Sequence, residues 1–208
     1  WAFGIHLVTA FLYAGFPSRH FWHTSLLGPR FLASAFAAGP ALIIITLGLI
    51  KKYTVYEILD TTINKLAMIT TVAAQINLIM LFSELFTEFY VPTEHSNSAI
   101  YLFFGLHGHH ALVPWIWSAI ILNVLSTLAL TIHPIRRNLK YLRSIICPCL
   151  FIAIWIEKGF GLIIPGFIPS TLGVVTDYFP TWVEVAVTMG IWALGALVFT
   201  ILVRIAIN

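Results

Sequence analysis

FLASAFAAGPALIIITLGLI, residues 31–50, runs for twenty residues without a charge, with Arg30 before it and Lys51 after it. The hydrocarbon core of a bilayer is about 30 Å thick and a helix rises about 1.5 Å per residue, so about 20 apolar residues cross it. This stretch meets that requirement by itself. Ala35, Ala38 and Gly39 stand at a spacing suited to close helix–helix approach, and Pro40 is expected to kink the helix.

The rest of the chain follows the same pattern. Of 208 residues, 60% are hydrophobic and 9% charged, with a mean hydropathy of +0.95. A soluble domain needs a polar outer face that this composition does not supply, so a multi-span helical membrane protein is expected. The net charge of +3 and the pI near 9.0 do not point to nucleic acid, because the basic residues cluster at segment ends, as membrane topology requires. Five further spans are expected: residues 1–16, which are short; about Thr62–Phe86, carrying Gln75 and Asn77; about His109–Ile132, with Tyr101–Leu106 as an interfacial lead-in; roughly Leu142–Ile164; and roughly Thr181–Ile207. Six helices in one all-α integral membrane domain, residues 1–208, is the simplest organisation. Trp1 already lies in an apolar run with no basic region before it, so the chain is expected to begin partway along a helix of a longer protein.

Lysine and arginine counts orient the spans. Lys51, Lys52, Lys65, Arg136, Arg137, Lys140, Arg143 and Arg204 fall on one side and Arg19, Arg30 and Lys158 on the other, eight plus three making the total of 11. The richer side is expected to be cytoplasmic, and the C-terminus with it. Glu57 and Asp60 lie inside. Glu84, Glu88, Glu94, Glu157, Asp177 and Glu184 lean outward, with His20, His23, His95, His107, His109 and His110. Pro165, Gly166, Pro169, Gly173 and Pro180 mark a long ordered loop before the last span.

Several constellations carry candidate chemistry. His107, His109 and His110 invite a metal or haem reading. However, His109 and His110 point about 100° apart on a helix and the cluster lies at an interface, so capping of the following helix is the better account. Cys147 and Cys149 make neither a disulfide framework nor a metal set. The tryptophans, Trp22 among them, mostly fall near helix ends as an aromatic belt. Glu84 and Glu88, four residues apart, share a face. They, with Glu157 and Lys158, serve either interhelical pairing or proton transfer beside a redox site. Gln75 and Asn77 could hydrogen-bond between helices. His6 and Tyr13, seven apart on nearly one face, are either a quinone-binding pair or a core histidine and an interfacial tyrosine.

Three long stretches, IHLVTAFLYAGFPSRHFWHTSLLGPRFLASAFAAGPALI, ELFTEFYVPTEHSNSAIYLFFGLHGHHALVPWIW and EKGFGLIIPGFIPSTLGVVTDYFPTWVEVAVTMGIWALG, resemble the NrfD/PsrC family of polysulfide-reductase-type membrane subunits, closest to its DsrP- and HmcC-like branch. The resemblance implies two four-helix bundles in a fold of roughly ten spans. Residues 1–17 would then end the quinone-side bundle, residues 30–164 would form the second bundle, and residues 180–208 a flanking helix. It implies menaquinone or menaquinol at the outer face, no haem or metal in this chain, and His6, Tyr13 and Arg19 as quinone contacts. Leu12 stands where some relatives carry an acid beside the position of Tyr13. The implied partners are a periplasmic ferredoxin-like iron–sulfur subunit, a multihaem cytochrome c, a membrane cytochrome b and a cytoplasmic Hdr-like iron–sulfur protein, in sulfur or sulfate respiration. Such a subunit is non-catalytic alone, with Glu84 and Glu88 as proton carriers. The alternatives are a membrane anchor with a proton-conducting half-channel through Gln75, Asn77, Glu84 and Glu88, and a dihaem cytochrome b.

Overall fold

The computed structural model describes residues 1–16, 18–54, 58–90, 96–170 and 172–207. Glu57, Glu94 and His95, counted above among the loop charges, lie outside the described residues, as do the boundary positions Pro17 and Asn208. The described regular structure is helical: α1 (Ala2–Ala14), α2 (Leu27–Tyr53), α3 (Asp60–Tyr90), α4 (Asn97–Phe103), α5 (Val113–Thr131), α6 (His133–Arg137), α7 (Leu139–Phe167) and α8 (Trp182–Ile207). Wider π-type turns interrupt α7 at Leu142–Ile146 and Gly159–Ile163. Such turns often coincide with functional positions.

Five helices, α2, α3, α5, α7 and α8, are long and apolar enough to cross a membrane. The protein is therefore a multi-pass membrane protein. The first of the six expected spans differs: α1 has 13 residues, about 20 Å of rise, which is less than a bilayer core.

The chain divides into two compact units, Trp1–Asp177 and Tyr178–Asn208. In the first, α2 packs on α3, α3 on α5, α5 on α7 and α7 back on α2, which closes a four-helix bundle, and α1 lies along α2. Small side chains let the backbones approach, as membrane helices require without a hydrophobic drive between them. Ala37 and Ala41 of α2 meet Ala67 and Ala74 of α3, and Leu130, Leu142, Cys147 and Leu150 fill the rest of this layer. Ala38 packs beside it. Ala35 and Gly39 do not serve close helix packing as expected. A Cβ at Gly39 would meet nothing within 4 Å, and both residues instead border a groove toward α1.

Two further expectations are corrected. Trp22 is not a belt residue: it is 1% exposed, its indole Nε1 donates to the Leu162 carbonyl at 2.8 Å, and it meets Phe167 edge-on. That carbonyl lies in the Gly159–Ile163 turn, where the regular helical ladder is disturbed. Gly166 makes the room, because a Cβ there would overlap the indole ring. The fourth span starts later than expected, at Val113, with Leu112 as its N-cap and no side-chain cap. The histidines therefore do not cap it.

In the second unit, Thr181 and Glu184 form a capping box at the start of α8. The Glu184 carboxylate accepts from Thr181 N at 2.6 Å, and Glu184 N donates back to Thr181 Oγ1 at 3.3 Å. Tyr178 adds its hydroxyl to the same carboxylate at 3.2 Å.

Candidate functional site

Buried inside the bundle is a cluster of charged and polar side chains, with a residue from each of its four helices. Arg30 of α2 forms an ion pair with Glu84 of α3, and its Nη2 donates to Glu157 Oε1 of α7 at 2.8 Å. Lys158 Nζ lies 3.2 Å from the same Oε1 and over the Phe31 ring. Asn123 Nδ2 of α5 donates to Glu157 Oε2 at 3.0 Å. Glu157 is 2% exposed and Arg30 6%. Two cations and two carboxylates balance one another, which is the condition under which buried charge is tolerated. Arg30, placed by its sequence position on the outer loop, sits one turn inside α2 because that helix starts at Leu27 rather than Phe31.

Two polar stripes lead from this cluster toward the other end of the bundle. On α3, Thr70, Asn77 and Glu84 recur every seven residues on one face, about 10.5 Å per step. On α5, Thr127 Oγ1 contacts Asn123 Oδ1 at 3.5 Å, and Thr131 Oγ1 donates to the Thr127 carbonyl at 2.8 Å. Gln75 Nε2 then donates to Thr131 Oγ1 at 2.9 Å, an interhelical bond of the kind its sequence position suggested. Asn77 differs: it is fully buried, and neither Nδ2 nor Oδ1 has a hydrogen-bond partner among the described residues. A buried amide of this kind ordinarily holds ordered water. Glu88 is half-buried, and its carbonyl accepts from Ser96 Oγ at 2.8 Å.

The expected quinone contacts do not converge on one cavity. His6 lines a groove of about 300 Å³ between α1 and α2, with Phe3, Leu32, Ala35, Phe36, Gly39, Pro40 and Ile43. Its walls are apolar and aromatic, and Phe3 and Phe36 stand 5.2 Å apart. Tyr13 packs against Trp22, with ring centroids 4.7 Å apart, and near Phe31. Arg19 donates from Nη1 to the Phe167 carbonyl at 3.0 Å and lies over the Phe167 ring. It borders a separate polar cleft of about 640 Å³ with Ser18, His20, Asn97, Ser98 and Ser170.

The histidine triplet is a structural turn. Gly105, His107 and Gly108 have φ of 83°, 51° and 88°, and Leu106 and His109 exchange both backbone hydrogen bonds around positions 107 and 108. Two successive left-handed residues are what so tight a reversal demands. His109 Nδ1 lies 2.8 Å from Asp177 Oδ2, and His110 Nδ1 lies 3.0 Å from the Phe104 carbonyl. Each imidazole therefore ties the turn to a neighbouring segment. The Tyr101 hydroxyl donates to the Thr176 carbonyl at 3.1 Å, so the long loop after α7 is held at two points. Among the described residues, no three His, Cys, Asp or Glu side chains are placed to hold a metal ion.

Sequence reasoning missed Arg30 as the centre of the buried cluster and Asn123 as its link to α5. The available signal was the uncharged length: Arg30 is the only cation between Arg19 and Lys51. No curated protein matches the chain in sequence. Residues 1–169 match the family described as polysulphide reductase, NrfD, so the chain belongs to the NrfD family, membrane subunits of quinone-linked oxidoreductase complexes that work with other redox subunits.

Proposed function

We propose that this chain is the quinone-interacting subunit of a menaquinol redox complex of the DsrP- and HmcC-like branch, with its quinone contact on the α1–α2 groove. The observation that carries the proposal is the His6 imidazole bordering an otherwise apolar, aromatic-walled groove. A quinone head asks for flat apolar walls and a hydrogen-bond donor at each carbonyl oxygen. The groove meets the first demand fully and the second by one donor. The other donor would come from outside the described residues, or from Tyr13 once it leaves Trp22. A bound quinone supplies two-electron, two-proton chemistry. This chain's part is to hold the head group and shield it from water. Electrons would pass to a periplasmic ferredoxin-like iron–sulfur subunit, with a multihaem cytochrome c, a membrane cytochrome b and a cytoplasmic Hdr-like protein completing the assembly in sulfur or sulfate respiration. The complex would lie in the cytoplasmic membrane with the C-terminus cytoplasmic, a reading that the lysine and arginine bias supports.

The test is quenching of a fluorescent quinol analogue in the intact complex, wild type against His6→Phe and Tyr13→Phe. Loss of one neutral hydrogen bond, about 1 kcal/mol, weakens binding about fivefold in His6→Phe. Unchanged affinity in both variants would move the quinone site off this chain.

A second reading, a proton-conducting half-channel through the bundle, is favoured by one observation: Asn77 is buried with neither amide atom partnered among the described residues, on the α3 face that carries Glu84. Asn123→Leu is expected to slow proton uptake by reconstituted complex at least tenfold while quinol-analogue binding stays unchanged. Equal proton rates in both proteins would leave the stripes as helix-to-helix bonding alone.

A further inference from the structure

At the end of the bundle away from the polar cleft, α2 finishes and α7 begins. A groove of about 490 Å³ opens between them, lined by Ile45, Gly48, Leu49, Lys51, Lys52, Lys140, Arg143 and Ser144. Four cations therefore converge from segments about 90 residues apart on a floor that is apolar. We propose that this groove binds the phosphate of an anionic phospholipid, with Lys52, Lys140 and Arg143 around the headgroup and the acyl chains along Ile45 and Leu49.

Three observations separate this from a merely solvated basic rim. First, Lys51 is held by Asp60 at 3.0 Å, yet no other acidic side chain among the described residues pairs with the remaining cations of the groove. Among the described residues, the groove therefore keeps three cations without a paired acid, which a bound anion would neutralise. Second, the Arg143 stem lies across α2 at Gly48, where a Cβ would come within 2.8 Å of Arg143 Cδ. Arg143 Nε donates back to the Leu139 carbonyl at 3.0 Å, which holds the stem on its own helix and leaves the Nη groups, a planar fork suited to phosphate oxygens. The wide turn Leu142–Ile146 carries Arg143 and Ser144 together. Third, the groove is amphipathic in the order a lipid requires. Lys51 and Lys52 lie in the last turn of α2, while Leu49 lies just before them and Ile45 nearly two turns deeper toward the membrane. Basic grooves between helices on the cytoplasmic side suit anionic headgroups, and this is the side to which the lysine and arginine excess assigns this end.

The same phosphate chemistry could be met by a soluble anion, so the experiment separates the two sources. The intact detergent-purified complex would be analysed by native mass spectrometry after exchange into micelles doped with phosphatidylglycerol, cardiolipin or phosphatidylcholine, and separately with inorganic phosphate. The wild type is expected to retain phosphatidylglycerol or cardiolipin over phosphatidylcholine. Lys140→Gln with Arg143→Gln should weaken retention about 25-fold, about fivefold for each cation lost. Gly48→Leu keeps every charge but fills the floor and lifts Arg143, and it should weaken retention by a similar factor with the complex still assembled. Equal retention by wild type and the double variant overturns the site. Binding of inorganic phosphate that displaces the lipid would assign the groove to a soluble anion and overturn the lipid as occupant.

Discussion

Arg30 shows how much one side chain decides in this bundle. Its guanidinium pairs with Glu84 and Glu157 at once, and Lys158 completes a neutral set of four. Removing one member leaves an uncompensated charge in a low-dielectric interior, where breaking a buried pair costs about 3–5 kcal/mol. Glu157→Gln is therefore expected to destabilise the protein by about that much, read as a large fall in the thermal midpoint in detergent. Arg30→Met combined with Glu84→Gln removes one charge of each sign and leaves Glu157 with Lys158 and Asn123. The double variant should be less destabilised than the sum of its singles by at least about 1 kcal/mol. Additive effects would mean that the four charges do not act as one unit. The carboxylates of this cluster were legible in the sequence, since a charge within an apolar run is conspicuous. Their partner was not. Arg30 lies 54 residues from Glu84 and 127 from Glu157, and sequence position assigned it to a loop because four residues of α2, Arg30 the last of them, precede the uncharged run.

At the scale of elements, the long apolar runs read correctly because helices of about 20 residues are the one economical way to cross a bilayer. The short pieces were not readable. α4, α6 and the two wide turns of α7 carry no periodicity long enough to recognise, and the histidine-rich turn was merged with the helix that follows it. That turn is explained by φ rather than by the capping of the next helix expected of its histidines. Gly108 at φ 88° favours glycine, so Gly108→Ala should cost about 1–2 kcal/mol although a Cβ there would meet nothing within 4 Å. Gly166→Ala fails for the opposite reason. Its backbone tolerates alanine, but the added methyl enters the Trp22 ring. Overpacking of about 1–3 kcal/mol is expected, and Gly166→Ala in a Trp22→Leu background should recover much of it. Thermal unfolding of the four proteins, these two, the Trp22→Leu single and the double, would show it. A Gly166→Ala penalty that persists in the Trp22→Leu background would place the strain elsewhere.

Across the whole bundle, the two ends differ in kind. One gathers Ser18, Arg19, His20, Asn97, Ser98 and Ser170 around the polar cleft. The other gathers Lys51, Lys52, Lys140 and Arg143. Chain order demands this arrangement: one long helix separates residue 19 from residue 52, and two, α3 and α5, separate residue 52 from residue 140. The structure also sharpens the charge bias that oriented the chain. Arg30 and Lys158, counted with the outer loops, are consumed inside the bundle, so Arg19 is the one cation left of the three assigned to that side. The basic end also has Arg136 and Arg137 on α6. The expected orientation therefore rests on a stronger asymmetry than sequence position alone suggested. In a background with Cys147 and Cys149 replaced by serine, single cysteines at Lys52 and Lys140 should react with a membrane-impermeant maleimide only in inside-out vesicles. One at Ser98 should react only in right-side-out vesicles. If positions 52 and 140 label from opposite sides, α3 and α5 do not both cross and the four-helix bundle is wrong. If all three labels exchange sides together, the bundle stands and the basic groove faces outward. The polar cleft would then face the cytoplasm, and with it any redox partner docked there.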